Sequence, residues 1–139
     1  MSLSTGTYVI KNVLSGNSLA LLDPNDGTSV VGSAEQVGRV MHWNVVRLGN
    51  GKYTVENVEQ ASYANAGPRS PAGGYVVGRG TSQQLAIQET RRKDVYTISP
   101  ADRTLYFWGL EDGDEETPVT LGTTATDSHN HWQFEHVKY

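Results

Sequence analysis

Short segments in which apolar and polar residues alternate recur along the whole chain, and Gly, Asn, Asp or Ser residues separate them. This alternation is typical of half-buried β-strands that are joined by tight turns. No capping box opens a sustained helical pattern, so little helix is expected. The pattern therefore predicts an all-β protein built from many short strands.

The segments recur in the same order three times, and each copy contains four of them. The first segment of each copy carries a tyrosine, at Tyr8, Tyr53 and Tyr96. The predicted strands are Thr7–Ile10, Ser18–Leu22, Thr28–Gly32, Trp43–Val46, Lys52–Val55, Ser62–Asn65, Gly74–Gly78, Leu85–Ile87, Val95–Ile98, Leu105–Trp108, Thr117–Gly122 and Trp132–Phe134.

Three repeats, at approximately 5–50, 51–93 and 94–139, make a single domain spanning 1–139. One repeat cannot bury its own apolar face, so the three must share a core. This predicts a β-trefoil, a six-stranded barrel capped by three hairpins; a β-propeller also has four strands per repeat but usually needs four or more repeats. The residues that recur at matched positions are expected to pack the barrel and its cap: Tyr8, Tyr53, Tyr96, Trp43, Leu85 and Trp132.

Composition removes several classes of function. The 139 residues include no cysteine, which excludes disulfides, Cys-based zinc sites and thiol nucleophiles. A formal net charge of −4 disfavours binding to nucleic acid, and no apolar run is long enough to span a membrane. The N-terminal residues do not form a signal peptide, so the expected location is the cytoplasm. A closed barrel without free edges is expected to be monomeric.

Catalytic motifs are missing as well: the sequence has no nucleophile elbow, no His-Glu-x-x-His motif and no phosphate-binding loop. We therefore expect no enzymatic activity and no cofactor. The segment Asp127–His131, with His136 nearby, is the best metal candidate, but its histidines are interpreted as polar loop residues and no metal is predicted. The acidic run Glu111–Glu116 lacks the calcium-loop pattern and is interpreted as a solvated hairpin tip.

Function is then expected in the loops that join the second and third strands of each repeat. The loop Ala66–Gly73 is the longest and holds the only Arg or Lys among the three. In its sequence Pro68, Arg69, Ser70, Pro71, the two prolines favour an extended backbone of the kind that a protease cleft binds. Arg69 would enter a trypsin-type specificity pocket. The alternative is an ordinary proline-rich loop with an exposed arginine, and Arg79 and Arg91–Lys93 are rival basic sites.

The sequence resembles the mushroom serine protease inhibitors of the cospin and cnispin type along essentially its whole length. Two of the three tyrosine-containing first segments contribute to this resemblance, within Gly6–Val13 and Gly51–Val58. The most specific part is the Trp108-Gly109-Leu110 stretch. The other matching segments are Val76–Arg79, Gln88–Arg91, Tyr96–Pro100, Phe107–Gly113 and Thr117–Leu121.

The resemblance implies a disulfide-free β-trefoil that inhibits trypsin-like serine proteases, with a defensive role against grazers or parasites in which it meets their proteases on ingestion or release. Family members present the inhibitory residue between the second and third strands or between the last two. Those positions here hold Asp23–Gly27 and Gly122–Asn130, neither of which contains Arg or Lys. Either inhibition has moved to Pro68, Arg69, Ser70 and Pro71, or the target protease differs.

Two other functions remain open. In the loop Pro24, Asn25, Asp26, Gly27, the exposed Asn25 would suit an asparagine-specific protease, or the loop could meet a cysteine protease. A carbohydrate-binding lectin is the second alternative, because ricin-type lectins resemble this layout. They carry a Gln-x-Trp signature in the fourth strand, and no repeat here has both residues, although Asp23 could serve as a sugar-binding acid.

Overall fold

A closed ring of six antiparallel strands organises the protein, as seen in a computed structural model that describes residues 2–35 and 38–138. Two short 3-10 helices, at Gly38–Met41 and Ser128–Asn130, interrupt the strands. No helix in the described ranges is long and apolar enough to cross a membrane. The strands are β1 (Gly6–Asn12), β2 (Ser18–Ala20), β3 (Val31–Ser33), β4 (Trp43–Arg47), β5 (Tyr53–Asn57), β6 (Tyr63–Asn65), β7 (Val77–Arg79), β8 (Leu85–Glu89), β9 (Tyr96–Pro100), β10 (Phe107–Leu110), β11 (Thr117–Gly122) and β12 (Trp132–His136).

The ring consists of the first and fourth strands of each repeat. Strand β1 pairs with β4 and β12, β5 pairs with β4 and β8, and β9 pairs with β8 and β12. The remaining strands form three hairpins, β2–β3, β6–β7 and β10–β11. This is the predicted β-trefoil.

The three hairpins meet at the pseudo-threefold axis through a cyclic set of backbone hydrogen bonds. The Val30 amide donates to the Val76 carbonyl at 2.9 Å, Val76 donates to Val119 at 3.1 Å, and Val119 donates back to Val30 at 2.8 Å. All three side chains are fully buried. The cap is therefore held by contacts between repeats as well as within them.

The core confirms the repeat pattern of the sequence. Trp43, Leu85 and Trp132 are each at most 1% exposed, and the three repeat tyrosines are at most 8% exposed. Trp43 Nε1 donates to the Leu19 carbonyl at 3.0 Å, and Trp132 Nε1 donates to the Trp108 carbonyl at 2.9 Å. These two buried rings tie the fourth strand to the second strand in the first and third repeats.

The structure moves some predicted strand boundaries. Strands β3 and β7 begin at Val31 and Val77, because the residues before them leave the hairpin and pair about the threefold axis. The tenth strand was predicted from Leu105, but Leu105 is 76% exposed and lies in a loop. A turn from Pro100 to Tyr106 delays β10 until Phe107.

Candidate functional site

The loop that the sequence favoured, Pro68 to Pro71, is exposed but not extended at Arg69. Arg69 has a φ of 53°, in the left-handed region, and its amide donates to the Asp102 carboxylate at 3.1 Å. The Ser70 side chain is buried, with only 7% of the residue exposed. The loop therefore bends at Arg69, where the amide contacts Asp102, and is not extended throughout as a protease cleft would bind it. A reactive-site role for these residues stays a prediction.

The alternative loop, Pro24 to Gly27, is tied to the second repeat. The Asp26 carboxylate forms an ion pair with Arg79 at 2.8 Å, and the Gly27 amide donates to the Gly78 carbonyl at 2.9 Å. Asn25 is exposed, while its amide donates to Asp23 at 2.9 Å. Arg79, one of the rival basic sites, is thus neutralised by a carboxylate.

An aspartate and a threonine five residues apart form the same hydrogen-bonded arrangement in the first and third repeats. Thr28 Oγ1 donates to Asp23 Oδ1, and Thr117 Oγ1 donates to Asp112 Oδ1, both at 2.5 Å. The amide two residues after each aspartate donates to the same oxygen, which is an Asx turn. One carboxylate oxygen of each pair is thereby fixed in direction.

These hydrogen bonds also set the charge of the two carboxylates. The threonine hydroxyl, followed by the backbone amide, lowers the pKa of both Asp23 and Asp112 below the ordinary value. Both groups are therefore ionised acceptors at neutral pH. Within the described ranges, Oδ2 of Asp112 has no hydrogen-bond donor. It can accept a hydrogen bond from a ligand.

The second repeat lacks this arrangement. Ala64 faces Gly78 across its hairpin as Leu19 faces Gly32 across the first, so Pro68 occupies the position of Asp23. Here Gln83 braces the loop instead, by accepting from the Ala66 amide at 2.8 Å and donating to the Gly67 carbonyl at 2.9 Å. A carboxylate at this position is thus found in two of the three repeats.

Asp112 lines a cleft of about 280 Å³ between the third and first repeats. Its other walls are Leu110, Gly113 and His129 of the third repeat and the turn Asn12–Ser15 of the first. A second cleft of about 310 Å³ adjoins it and shares Leu110 and His129. We call the two together the Asp112 cleft.

Asn12 holds this junction in place from the first repeat. Its side-chain nitrogen donates to the His129 carbonyl at 2.9 Å, and its side-chain oxygen accepts from the backbone amides of Leu14 and Ser15 at 3.1 Å. Nearby, Asn17 donates to the Gly113 carbonyl at 3.1 Å. Residues about a hundred positions apart in sequence therefore form one rigid wall.

His129 presents one ring nitrogen to the cleft. Its Nδ1 donates to Asp127 Oδ1 at 2.7 Å, and its backbone amide donates to the same oxygen at 2.9 Å. In the neutral ring, Nε2 is then an acceptor, and no described residue bonds it. The backbone contact with His129, followed by its side-chain contact, lowers the pKa of Asp127. The pair is a fixed polar group beside Asp112.

The equivalent place beside Asp23 lies between the first and second repeats and is more filled. Val40 takes the place of His129, since Asn57 donates to the Val40 carbonyl at 2.8 Å as Asn12 does to His129. Gln60 takes the place of Ser15 and its side chain donates to the Leu21 carbonyl at 3.2 Å. The longer side chain occupies space that Ser15 leaves open. Of the two carboxylate sites, Asp112 is thus the better equipped to receive a ligand.

The histidines do not converge as the extended segment Asp127–His131 would require, because residues 128–130 form a 3-10 helix. His131 Nε2 donates to the Ala125 carbonyl at 2.7 Å, and His136 lies against the Tyr8 ring. The described residues contain no group of three or more His, Asp or Glu side chains that could hold a metal ion.

The acidic run proves more ordered than a solvated tip. Besides the Asp112 turn, Glu115 accepts from the Ser33 hydroxyl at 2.6 Å and from the Ala34 amide at 2.7 Å. Asp112 and Thr117 were not predicted as site residues, and His129 was considered only as part of the metal candidate Asp127–His131. The signal available was the identical spacing of Asp23 to Thr28 and Asp112 to Thr117.

Solved structures with this fold match nearly the whole chain. The Rhizoctonia solani agglutinin matches with a TM-score of 0.90 and 27% sequence identity over 99% of each chain. The Macrolepiota procera ricin B-like lectin, solved in complex with lactose, gives 0.87 and 21% over 99% of each chain. The designed threefold-symmetric protein ThreeFoil gives 0.86 and 18%, over 95% of this chain and 99% of its own.

No model of a known protein family matches the sequence, and no curated protein matches it either. The structural matches confirm the β-trefoil fold that the resemblance implied. They show the fold only, so membership of the protease inhibitor family stays a prediction; the fungal structures among them include an agglutinin and a lectin.

Proposed function

We propose that the protein is a carbohydrate-binding module and that the Asp112 cleft is its sugar site. The observation that carries the proposal is the Asp112 carboxylate, which is ionised, fixed through one oxygen and uncommitted at the other. A sugar presents neighbouring hydroxyl donors, for which a fixed carboxylate is a matched acceptor.

The rest of the cleft complements this acceptor. His129 Nε2 can accept a second hydroxyl, and the backbone of Gly113 lies close by. Leu14, which is 56% exposed, offers methyl groups to the apolar face of a sugar ring. No Phe, Tyr or Trp is among the described residues that line the cleft. We therefore expect weak binding of a single monosaccharide.

The structural neighbours support this assignment over protease inhibition. An agglutinin 27% identical over the full chain and a lectin solved with lactose share the fold. We infer a binding role without catalysis for this chain as well.

The direct test is a glycan array followed by calorimetric titration of the best ligand, with lactose included as a probe. Asp112→Asn keeps the size of the side chain but removes the charge, and we expect at least a tenfold loss of affinity, about 1.4 kcal/mol. Asp114→Asn is the matched control, because it removes the same charge from the same exposed loop and should leave binding unchanged. Equal affinities for both variants, or no saturable binding of any glycan, would refute the proposal.

Inhibition of a trypsin-like protease through Pro68, Arg69, Ser70 and Pro71 is the second candidate. It is favoured by the exposure of Arg69 on a loop that Asp102 and the hydrogen bond from the Gly74 amide to the Pro71 carbonyl hold at both sides. Trypsin inhibition that disappears in Arg69→Ala would support it. Inhibition that persists in this variant would move the search to Pro24–Gly27 and to residues 122–130.

A further inference from the structure

A groove of about 740 Å³ runs along the side of the barrel, and the loop 123–131 separates it from the Asp112 cleft. Its walls come from the β8–β9 turn, from the loop before β10 and from the loop before β12. The groove therefore lies between the second and third repeats. None of the residues that line it belongs to the Asp112 cleft.

The charge of this groove is opposite to that of the whole protein. Arg91 and Arg92 are exposed on its rim, in a chain whose formal net charge is −4. The one carboxylate in the lining, Glu89, already accepts from the Asp94 amide at 2.8 Å, and that contact is the main cause of its lowered pKa. The groove thus offers two guanidinium groups, which favour an anionic ligand.

The groove also holds hydroxyl groups and an exposed apolar side chain. Thr97, Thr104 and Thr126 line it from three different elements, and their hydroxyls make no hydrogen bond to the described residues. Leu105, which is 76% exposed, stands beside them. This combination fits a polyhydroxylated ligand that has one apolar face.

His131 has a buried ring nitrogen that lacks a hydrogen-bond partner among the described residues. The residue lines the groove and is only 7% exposed, and its Nε2 donates to the Ala125 carbonyl at 2.7 Å. Its Nδ1 is then an acceptor in the neutral ring, and this buried atom has no partner among the described residues. A buried polar atom left without a partner is costly, so a donor that reaches it from the groove would be stabilised.

We propose that this groove is a second binding site, independent of the Asp112 cleft, for an acidic saccharide unit that carries a carboxylate. The carboxylate lies against Arg91 and Arg92. The ring hydroxyls meet the threonines, with one donating to His131 Nδ1, and the apolar face of the ring rests on Leu105.

Two methyl glycosides that differ only at C6 provide the probes: methyl glucuronide, which is charged, and methyl glucoside, which is neutral. Each is titrated into the ¹⁵N-labelled Asp112→Asn protein, so that failure of the first site cannot affect the result. The expected result is saturable shifts of the amides of Thr97, Leu105 and His131 with the glucuronide, and at least tenfold weaker shifts with the glucoside. Equal effects of both glycosides, or none, would overturn the proposal.

Arginine and lysine variants distinguish glucuronide binding in the groove from nonspecific attraction to positive charge. Arg91→Gln combined with Arg92→Gln should weaken glucuronide binding at least tenfold, whereas Lys93→Gln, on the same turn but outside the groove lining, should change it less than twofold. Equal losses would show nonspecific charge attraction and refute the site. Sodium acetate is the last probe: shifts that saturate at the same concentration as with the glucuronide would mean a carboxylate site without sugar recognition, which would also contradict the proposal.

Discussion

Trp132 Nε1 donates to the carbonyl oxygen of Trp108 at 2.9 Å, whereas Trp108 Nε1 has no acceptor among the described residues. Both rings are fully buried. One indole thus contributes a hydrogen bond to the core, and the other leaves a donor unsatisfied.

This asymmetry predicts different costs for the same substitution. Trp132→Phe and Trp108→Phe each remove a similar volume, but only Trp132→Phe breaks a hydrogen bond, while Trp108→Phe removes an unsatisfied donor. We expect Trp132→Phe to be more destabilising by about 1–2 kcal/mol. Urea unfolding of the two variants measures this difference, and equal unfolding free energies would contradict it.

A residue taken from the second repeat should close the Asp112 cleft. Ser15→Gln places at this position the side chain that Gln60 has in the second repeat, so the fold is expected to tolerate it. The longer side chain fills space next to Asp112, and we predict at least a tenfold loss of glycan affinity in calorimetric titration. The reciprocal Gln60→Ser leaves the Asp112 cleft unchanged and serves as the control. Full binding by Ser15→Gln would mean that the ligand does not enter beside Ser15.

Gly109 lines the Asp112 cleft at a position that has no room for a side chain. A Cβ at this position would overlap the side-chain amide of Asn130, which donates to the Thr124 carbonyl at 3.0 Å. We expect Gly109→Ala to destabilise the protein by about 1–3 kcal/mol through overpacking. Gly80→Ala is the control, because no atom lies within 4 Å of its added Cβ. Thermal unfolding of both variants checks the contrast, and a neutral Gly109→Ala would show that Asn130 can move.

The two aspartate turns predict how stability depends on pH. The pKa values of Asp23 and Asp112 are lowered in the folded state, so the folded protein binds fewer protons than the unfolded chain as these groups titrate. Their contribution is present above the ordinary aspartate pKa and is lost as the pH falls through the lowered one. Urea midpoints should therefore fall on acidification through this range.

Thr117→Val tests the main cause of the shift at Asp112. It removes the hydroxyl but keeps the shape, so the pKa of Asp112 should rise towards its ordinary value while that of Asp23 stays the same. NMR titration of the side-chain carboxyl carbons reports both values in one sample. An unchanged Asp112 would show that the Asp114 amide alone lowers the pKa.

The fold could be predicted from the sequence because burial in this barrel follows the alternation of strands. Tyr8, Tyr53 and Tyr96 recur at matched positions since each occupies an equivalent buried place. The strand starts near Ser29 and Tyr75 could not be predicted, because the pairing of these residues is decided by another repeat across the threefold axis. Leu105 was wrongly predicted to begin the tenth strand. Its apolar side chain suited a buried strand, but a local turn holds it in solvent.

The candidate site was predicted less well, and the cause is physical. The spacing from Asp112 to Thr117 is visible in the sequence, but the direction in which the loop turns the carboxylate is not. The facing wall comes from Asn12 and its turn, 117 positions from the His129 carbonyl that Asn12 bonds. The prolines restrict Pro68 and Ser70 but leave Arg69 free, and its left-handed backbone and contact with the distant Asp102 could not be predicted from the local sequence.

The hydrogen bonds between Val30, Val76 and Val119 form a ring, and a ring has no outermost member that can detach first. Breaking any one of these hydrogen bonds weakens the support of the other two hairpins. The three valine amides should therefore exchange hydrogen with solvent through global unfolding and at a common rate. The residues Asp23, Pro68 and Asp112 lie outside this ring. The same hairpin frame can therefore carry a carboxylate turn, a proline-rich loop and a second carboxylate turn without a change at its centre.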